Sequence, residues 1–537
     1  MSERNVLAID VGTSEIKVAL VSHAGEVRDC ARSPLEVLYP QPGWAEQDPN
    51  DWWSAIRSAT RELWAHSAYS PEQVSGVVFS CQMFGVVPVD IDGKPLMNAM
   101  IWLDTRSREQ ARRITSGYPK VSGYGLPRLL KWLRATNGVP SLAGRDTISK
   151  FIWLREERPD LWQRTHKLLD VKDFLVMRCT GRSVTTFDLA SGGWLFKTRK
   201  GELGWSKEIL RMLDLDTERF PEVVASTEIV GELGAGAGAD LGIPPGTPVI
   251  AGAGDVPSCA VGSGAVQDGE VHIYLGTSSW VATHLDDRAV NPFAATGTLC
   301  AAEPGKYILI ATQETAGASM EWVRNKILGG DLDYDTLNRL VAECEPGAGG
   351  VFFFPWLMGE RVPVDDAALR GGFVNLSLDH DRSHLLRAVF EGIAFNNRWA
   401  LGVVEKLLGG PVPSIRITGG GAQSAVWCQI MADVLGKPVE RVANPQFCGV
   451  RGAALIALRA LGEIDGLDAC SDLVEVTDRF EPQPETQALY ARRYQSFLDY
   501  YKRNRAWFRE LNEGPDEGPD EGPEAAAQPP GEPPSQG

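Results

Sequence analysis

Several short segments carry residue types suited to phosphate and hydroxyl chemistry. Asp10-Val-Gly-Thr-Ser14 offers a carboxylate, a glycine that lets a ligand approach backbone N–H groups, and two hydroxyls. The residues after it, Glu15-Ile-Lys-Val-Ala-Leu-Val-Ser22, alternate as a strand, so the turn closes a β-hairpin. A Walker loop or a dinucleotide fingerprint would lead into a helix instead, and G-x-x-x-x-G-K-[ST] does not occur. Read alone, the segment is also compatible with an ordinary Asp-Gly turn. Gly276-Thr-Ser-Ser279, after His272-Ile-Tyr-Leu275, is a second turn of the same kind. Ala251-Gly-Ala-Gly-Asp255 follows Pro248-Val-Ile250. Its glycines expose Asp255 at a strand end, where a carboxylate can take a proton from a substrate hydroxyl. An Asp that caps its own turn is the plainer reading. Gly419-Gly-Gly-Ala-Gln-Ser424 offers bare backbone on which a flat ring can pack, whereas Gly234-Ala-Gly-Ala-Gly238 reads as a flexible surface segment.

Elements must hold these segments in place. Asp48-Pro49 reads as the cap and first residue of a helix with Trp52, Ile56, Ala59 and Leu63 on one face. A strand over 414–418 leads through the glycine turn into a helix over Ala425–Leu435 that stops at Gly436. With 537 residues the chain exceeds one hydrophobic core, and two domains are expected. The Pro/Gly run from Leu241 to Val249 marks their boundary: residues 1–247 form the first domain and 248–512 the second. Strand followed by Gly-Thr-Ser occurs in each half, which suggests a duplicated unit facing itself across a cleft. Residues 513–537, a repeat of Glu, Gly, Pro and Asp with almost nothing apolar, are expected to be a disordered acidic tail.

Composition excludes several classes. A net charge of −17 with no basic patch argues against nucleic acid as a partner. The nine cysteines are scattered without a C-x-x-C pair, which argues against a zinc site or disulfide framework and fits a cytoplasmic setting. The apolar run Val6–Ile9 is too short for a signal peptide, and no stretch nears the roughly 20 residues of a membrane span, so no membrane association is expected.

In order, Ile9-Asp-Val-Gly-Thr-Ser14, Ala45-Glu-Gln-Asp-Pro49, Gln82-Met83, Trp102, Ala251-Gly-Ala-Gly-Asp255, Leu275-Gly-Thr-Ser278, Gly359-Glu-Arg361 and Ile417-Thr-Gly-Gly-Gly421 resemble the FGGY carbohydrate kinases, and among them xylulokinases. The resemblance runs from about Val6 to about Leu461. It implies an α/β fold of two actin-like, ribonuclease H-like ATPase domains closing on ATP and a small sugar or polyol. It implies Asp255 as catalytic base and Asp10 as the Mg²⁺-linked carboxylate. Gly12, Thr13, Ser14 and Lys17 then meet the phosphates, and Gly276, Thr277, Gly317, Glu321, Gly420 and Gly421 line the nucleotide. Gln82, Met83, Phe84, Trp102 and Asp104, with Asp255, fall in the sugar-contacting segments.

The chain departs from the xylulokinase pattern at three places. Phe84 stands where the family has His, Leu103 where it has Asn, and Val256 where it has Asn. Each replaces a polar group near the sugar, and an unpaired buried hydroxyl costs about 1–3 kcal/mol. The expectation is a kinase whose acceptor offers fewer hydroxyls here than D-xylulose does. Two other readings compete: a non-catalytic sugar- or nucleotide-binding protein, and an actin- or chaperone-like ATPase. Retention of Asp10 and Asp255 speaks against the first, and the segments around Gln82 and Trp102 against the second. The sequence leaves the oligomeric state open, a homodimer being compatible with it.

Overall fold

The computed structural model describes residues 4–291, 294 and 296–513. Most of the acidic tail therefore lies outside the described residues; Glu513 ends the last helix.

The first half is built on one sheet. β1 (Asn5–Val11) and β2 (Glu15–Ser22) form the expected hairpin, and β3 (Val27–Pro34) continues it antiparallel. Asp48 caps α1 (Pro49–His66) by accepting the N–H of Asn50, and Trp52, Ile56, Ala59 and Leu63 are buried as the spacing predicts. β4 (Val74–Cys81) lies parallel to β1. An inserted region carries α2 (Thr147–Glu157), α3 (Val171–Thr180) and the short α4 (Phe187–Gly192). The chain returns to the sheet with β5 (Ile229–Glu232).

Two expectations need correcting here. Gly234–Gly238 is not a loose surface segment: α5 (Ala235–Leu241) forms there, with Ala237, Gly238 and Leu241 buried. Its bare Gly238 lets the returning Ile243–Pro245 chain pack close, and Trp64 on α1 donates to the Leu241 carbonyl at 2.8 Å. The Pro/Gly run also does not divide the halves. β6 (Pro248–Ile250) lies parallel to β4 inside the first sheet, as does β7 (Ala253–Gly254). The first sheet thus extends past residue 247, and α6 (Asp255–Gly262) leads out of it. Val249, Ile250, Ala251 and Ala253 are wholly buried, which is why this stretch joins the sheet rather than bridging two domains.

The second sheet repeats the first. β8 (Val271–Leu275) and β9 (Ser279–Leu285) form the second hairpin. β10 (Val290–Asn291), β11 (Thr296–Cys300) and β12 (Tyr307–Gln313) extend one side, and α7 (Gly317–Trp322) follows. After the long α8 (Arg382–Leu408) come β13 (Ile415–Thr418), α9 (Ala425–Leu435), β14 (Val439–Val442), α10 (Cys448–Ala460), β15 (Val476–Phe480) and α11 (Pro484–Glu513). The strand orders are β3-β2-β1-β4-β6-β5 and β12-β9-β8-β13-β14-β15, with further strands β10 and β11 outside β12. In both, a hairpin is flanked by a strand parallel to its first member. The internal repeat read from the two Gly-Thr-Ser turns is therefore a repeat of sheet topology.

The halves meet through α6 and α10. Gly262 and Gly452 bring the two helices so close that a Cβ at Gly452 would sit 1.7 Å from the Ser258 carbonyl oxygen. α10 also covers the first sheet, where Val450, Ala454 and Leu458 share a core with Val6, Ala8 and Val78. A helix from the second half thus reaches behind the strand that carries Asp10. No described helix is long and apolar enough to cross a membrane.

Candidate active site

The two hairpin turns are held differently. In the first, the Gly12 N–H bonds the Glu15 carbonyl at 3.0 Å, and the side chains around it fix Thr13. Trp102 donates its indole N–H to Thr13 Oγ1 at 2.9 Å, and Gln47 donates to the Thr13 carbonyl at 2.8 Å. Gln82 in turn donates to Gln47 Oε1 at 2.7 Å. Ser14 is exposed, and Lys17 on β2 pairs with Glu15 at 2.7 Å. Gln82 and Trp102, expected at the sugar, are thus bonded to the first hairpin turn and its supports.

In the second turn the Gly276 N–H bonds the Ser278 carbonyl at 3.0 Å. Gly317, at the head of α7, donates to the Gly276 carbonyl at 2.8 Å, and Ala316 donates to the Thr277 carbonyl at 2.9 Å. A Cβ at Gly317 would lie 2.6 Å from that Gly276 oxygen, and one at Gly421 would lie 2.7 Å from the Leu275 side chain. The fold therefore gathers Gly276, Thr277, Gly317 and Gly421 around one turn, with Gly420 exposed beside them. Glu321, one turn along α7, is occupied by Arg324 and Asn325 at 3.0 Å each and by the Tyr334 hydroxyl.

Asp10 and Asp255 come together. Asp10 lies near the end of β1 and Asp255 opens α6, both half-buried. Burial, and then the neighbouring Asp10 carboxylate, push Asp255 up to about 7, against the N–H bonds of Val256 and Asp255 itself. Burial likewise raises Asp10, while Lys17 and the Ser80 hydroxyl pull it back. Gly449 on α10 makes room for Asp10: a Cβ there would meet Oδ2 at 2.5 Å.

The turn bearing Asp255 is clamped by Asp188, which the sequence did not single out, and by Met83, which it did. Asp188 on α4 is wholly buried and accepts the Gly254 N–H at 2.7 Å and the Ser226 hydroxyl at 3.0 Å. Met83 packs over the bare Gly254, where a Cβ would meet its Cγ at 2.4 Å. The loop after β4 is clamped as well. Asp170 accepts the Phe84 and Gly85 N–H groups at 3.0 and 2.9 Å, and Lys150 on α2 donates to the Phe84 and Ile101 carbonyls at 3.1 and 2.7 Å. Burial depresses Lys150 to about 8, and burial followed by Asp173 lifts Asp170 to about 8. Only the cap position of Asp170, before Val171 and three residues ahead of Asp173, could have flagged it from sequence.

Asp104 is also fully engaged. It accepts the Ala45 N–H at 2.8 Å and forks onto Arg106, whose guanidinium lies 3.6 Å from the Trp44 ring centre. It holds the 44–47 segment against the 99–106 segment rather than presenting a free carboxylate.

Two actin-like ATPase domains, each carrying a strand–Gly-Thr-Ser–strand hairpin, make up the architecture. Residues 5–262 match the N-terminal domain, and residues 271–461 the C-terminal domain, of the FGGY family of carbohydrate kinases. The chain belongs to that family and is an ATP-dependent sugar kinase. It is 30% identical to the xylulose kinase of Staphylococcus epidermidis over 506 residues, covering 94% of this chain and 98% of that one. It is 28% identical to the gluconokinase of Bacillus subtilis, covering 90% and 93%. The solved xylulose kinase of Rhodospirillum rubrum superposes with a TM-score of 0.79 at 26% identity, covering 94% of this chain and all of that one.

Proposed function

We propose that the chain transfers the γ-phosphoryl group of ATP to a hydroxyl of a small ketose such as xylulose, or of a polyol, with Asp255 as general base. The observation that carries this is the position of Asp255. It opens α6 beside Asp10, on a turn held by Asp188 and overlaid by Met83 of the sugar loop. The acceptor oxygen forms its bond to the γ-phosphorus as its proton passes to Asp255. The bond from that phosphorus to the bridging oxygen breaks, and ADP leaves. A base that titrates near 7 is poised to accept that proton at neutral pH.

The phosphates would be held by the Gly12–Thr13–Ser14 and Gly276–Thr277 turns with Lys17, and the adenine beside Gly317, Glu321, Gly420 and Gly421. Among the described residues no cluster of three His, Cys, Asp or Glu side chains could cage a metal. Mg²⁺ needs no such cage when phosphates supply its other ligands, and Asp10 in the space left by Gly449 fits that role. Bound there, the ion would neutralise phosphate charge. Closure of the halves about α6 and α10 would exclude water and suppress ATP hydrolysis.

Asp255→Asn is nearly isosteric but cannot take the proton. Phosphorylation of every accepted sugar should fall by roughly 10²–10⁴-fold while ATP binding, read by calorimetry, persists. Turnover within a few-fold of the parent would remove Asp255 from the base role.

A further inference from the structure

Two aromatic residues on the sugar side hold backbone conformations that bulky side chains rarely adopt. Phe84 has φ 66° and Trp194 has φ 59°, both in the left-handed region. Such strain persists only where the surroundings enforce it, and it gathers at ligand clamps. The surroundings here do enforce it. Asp170 and Lys150, two buried ionisable groups, grip the N–H and carbonyl of Phe84, and Trp132 donates to the Trp194 carbonyl at 3.1 Å. Each ring also has a bare glycine under it. A Cβ at Gly192 would lie 2.7 Å from Phe84 Cε1, and one at Gly138 would lie 2.1 Å from Trp194 Cζ3.

Both rings and Val256, the neighbour of Asp255, pack half-buried on one apolar cluster with Met83, Leu189 and Trp280. Three polar side chains of these segments are already spent: Gln82 on Gln47, Asp104 on Arg106, Asp188 on Gly254. Resting on the kinase reading with Asp255 as base, we propose that Phe84 and Trp194 are specificity-determining residues. They form an apolar wall that selects an acceptor presenting a deoxy carbon or methyl group, rather than a hydroxyl, to this side of the site. Aromatic faces receive C–H surface well, while a hydroxyl pressed on them loses its water without gaining a partner.

Matched acceptors test this: 1-deoxy-D-xylulose against D-xylulose, and L-fuculose against its hydroxylated counterpart L-tagatose. In at least one pair the wild-type kcat/KM should favour the deoxy sugar by about tenfold or more. Phe84→His, which tolerates this φ better than Phe, should shift that ratio toward the hydroxylated sugar by about the same factor. Gly192→Ala, which pushes on the ring from below, should erode it through KM and serves if the first variant does not fold. The proposal is overturned if the hydroxylated sugar is used as well as or better than the deoxy one in both pairs, or if neither variant moves the ratio. Calorimetric binding of the same pairs separates this from the kinase reading. If no acceptor is phosphorylated, that reading fails, and the binding ratio still decides for or against the wall.

Discussion

Lys150→Met isolates the buried amine that holds the loop after β4. Wholly buried, Lys150 titrates near 8 rather than at its ordinary 10.5. Its charged form therefore costs roughly 3 kcal/mol at about pH 7. Two hydrogen bonds to the Phe84 and Ile101 carbonyls, at about 1.5–3 kcal/mol each from a charged donor, offset that cost. Methionine removes the cost and the bonds together and orphans two carbonyls, so at about pH 7 the variant should lie within about 2 kcal/mol of wild type. The pH dependence is the sharper signal. Between the folded pKa of about 8 and the unfolded 10.5, the unfolded chain binds the extra proton, so this group's contribution to stability rises with pH. By about pH 9.5 wild type should have recovered roughly 2 kcal/mol that the variant cannot. Asp170 acts in the same direction. Lys150 is among the groups lowering it, so the variant's Asp170 holds its proton higher and loses stability as pH rises. Urea unfolding followed by the fluorescence of the 16 tryptophans reads the gap. A gap between wild type and variant that stays constant from pH 7 to pH 9.5 would refute the reasoning.

The two carboxylates of the proposed site give two more expectations. Because Asp255 is raised to about 7 and, as the proposed base, must be ionised to act, kcat/KM should climb with pH through about 7 and level off above it. A profile flat between pH 5.5 and pH 8 would rule this out. Gly449→Ala adds a Cβ 2.5 Å from Asp10 Oδ2 at a helical site where alanine is otherwise favoured by about 1 kcal/mol. The melting temperature should therefore hold within a few degrees while turnover falls by about 10²-fold, since a misplacement of about 1 Å is that costly; a variant with parental turnover would show that Asp10 has room to move.

Local chemistry made part of this site legible. Alternation on either side of Gly-Thr-Ser announced both hairpins, and an N-capping Asp followed by Pro announced α1. The strand, glycine turn and helix at 415–435 declared themselves in the same way. What stayed hidden depends on distant partners. Lys150 and Asp170 look like ordinary helix residues until the fold brings Phe84 between them. The glycines of 234–238 argue against a helix by propensity, yet packing against the returning Ile243–Pro245 chain and α1 overrides it. The domain boundary failed for a related reason. Proline and glycine mark a turn at 244–246, but the apolar Val249–Ile250 after it pairs into the first sheet.

On the proposed site, a division of labour among these residues follows from the same contacts. A polar side chain can recognise a hydroxyl only if its own hydrogen-bonding capacity is free, and a buried one that the protein has already satisfied is part of the scaffold. Gln82, Trp102 and Asp104 are of the second kind: each is bonded to the first hairpin turn, its supports or the Arg106 network. Their identities are thus explained by the need to hold Thr13 and the 44–47 segment in place, whichever sugar is bound. The apolar cluster that Val256 joins next to Asp255 also carries the Phe84 and Trp194 rings. Catalytic geometry and acceptor choice therefore rest on different atoms. On the proposed site, the bonded set would fix where the phosphates and the base stand, and the rings would decide which hydroxyl-bearing carbon chain fits against them. An exchange at Phe84 should then change which sugar is used without moving the pH limb set by Asp255, whereas loss of the Asp188 bond to Gly254 should disturb the base for every sugar alike.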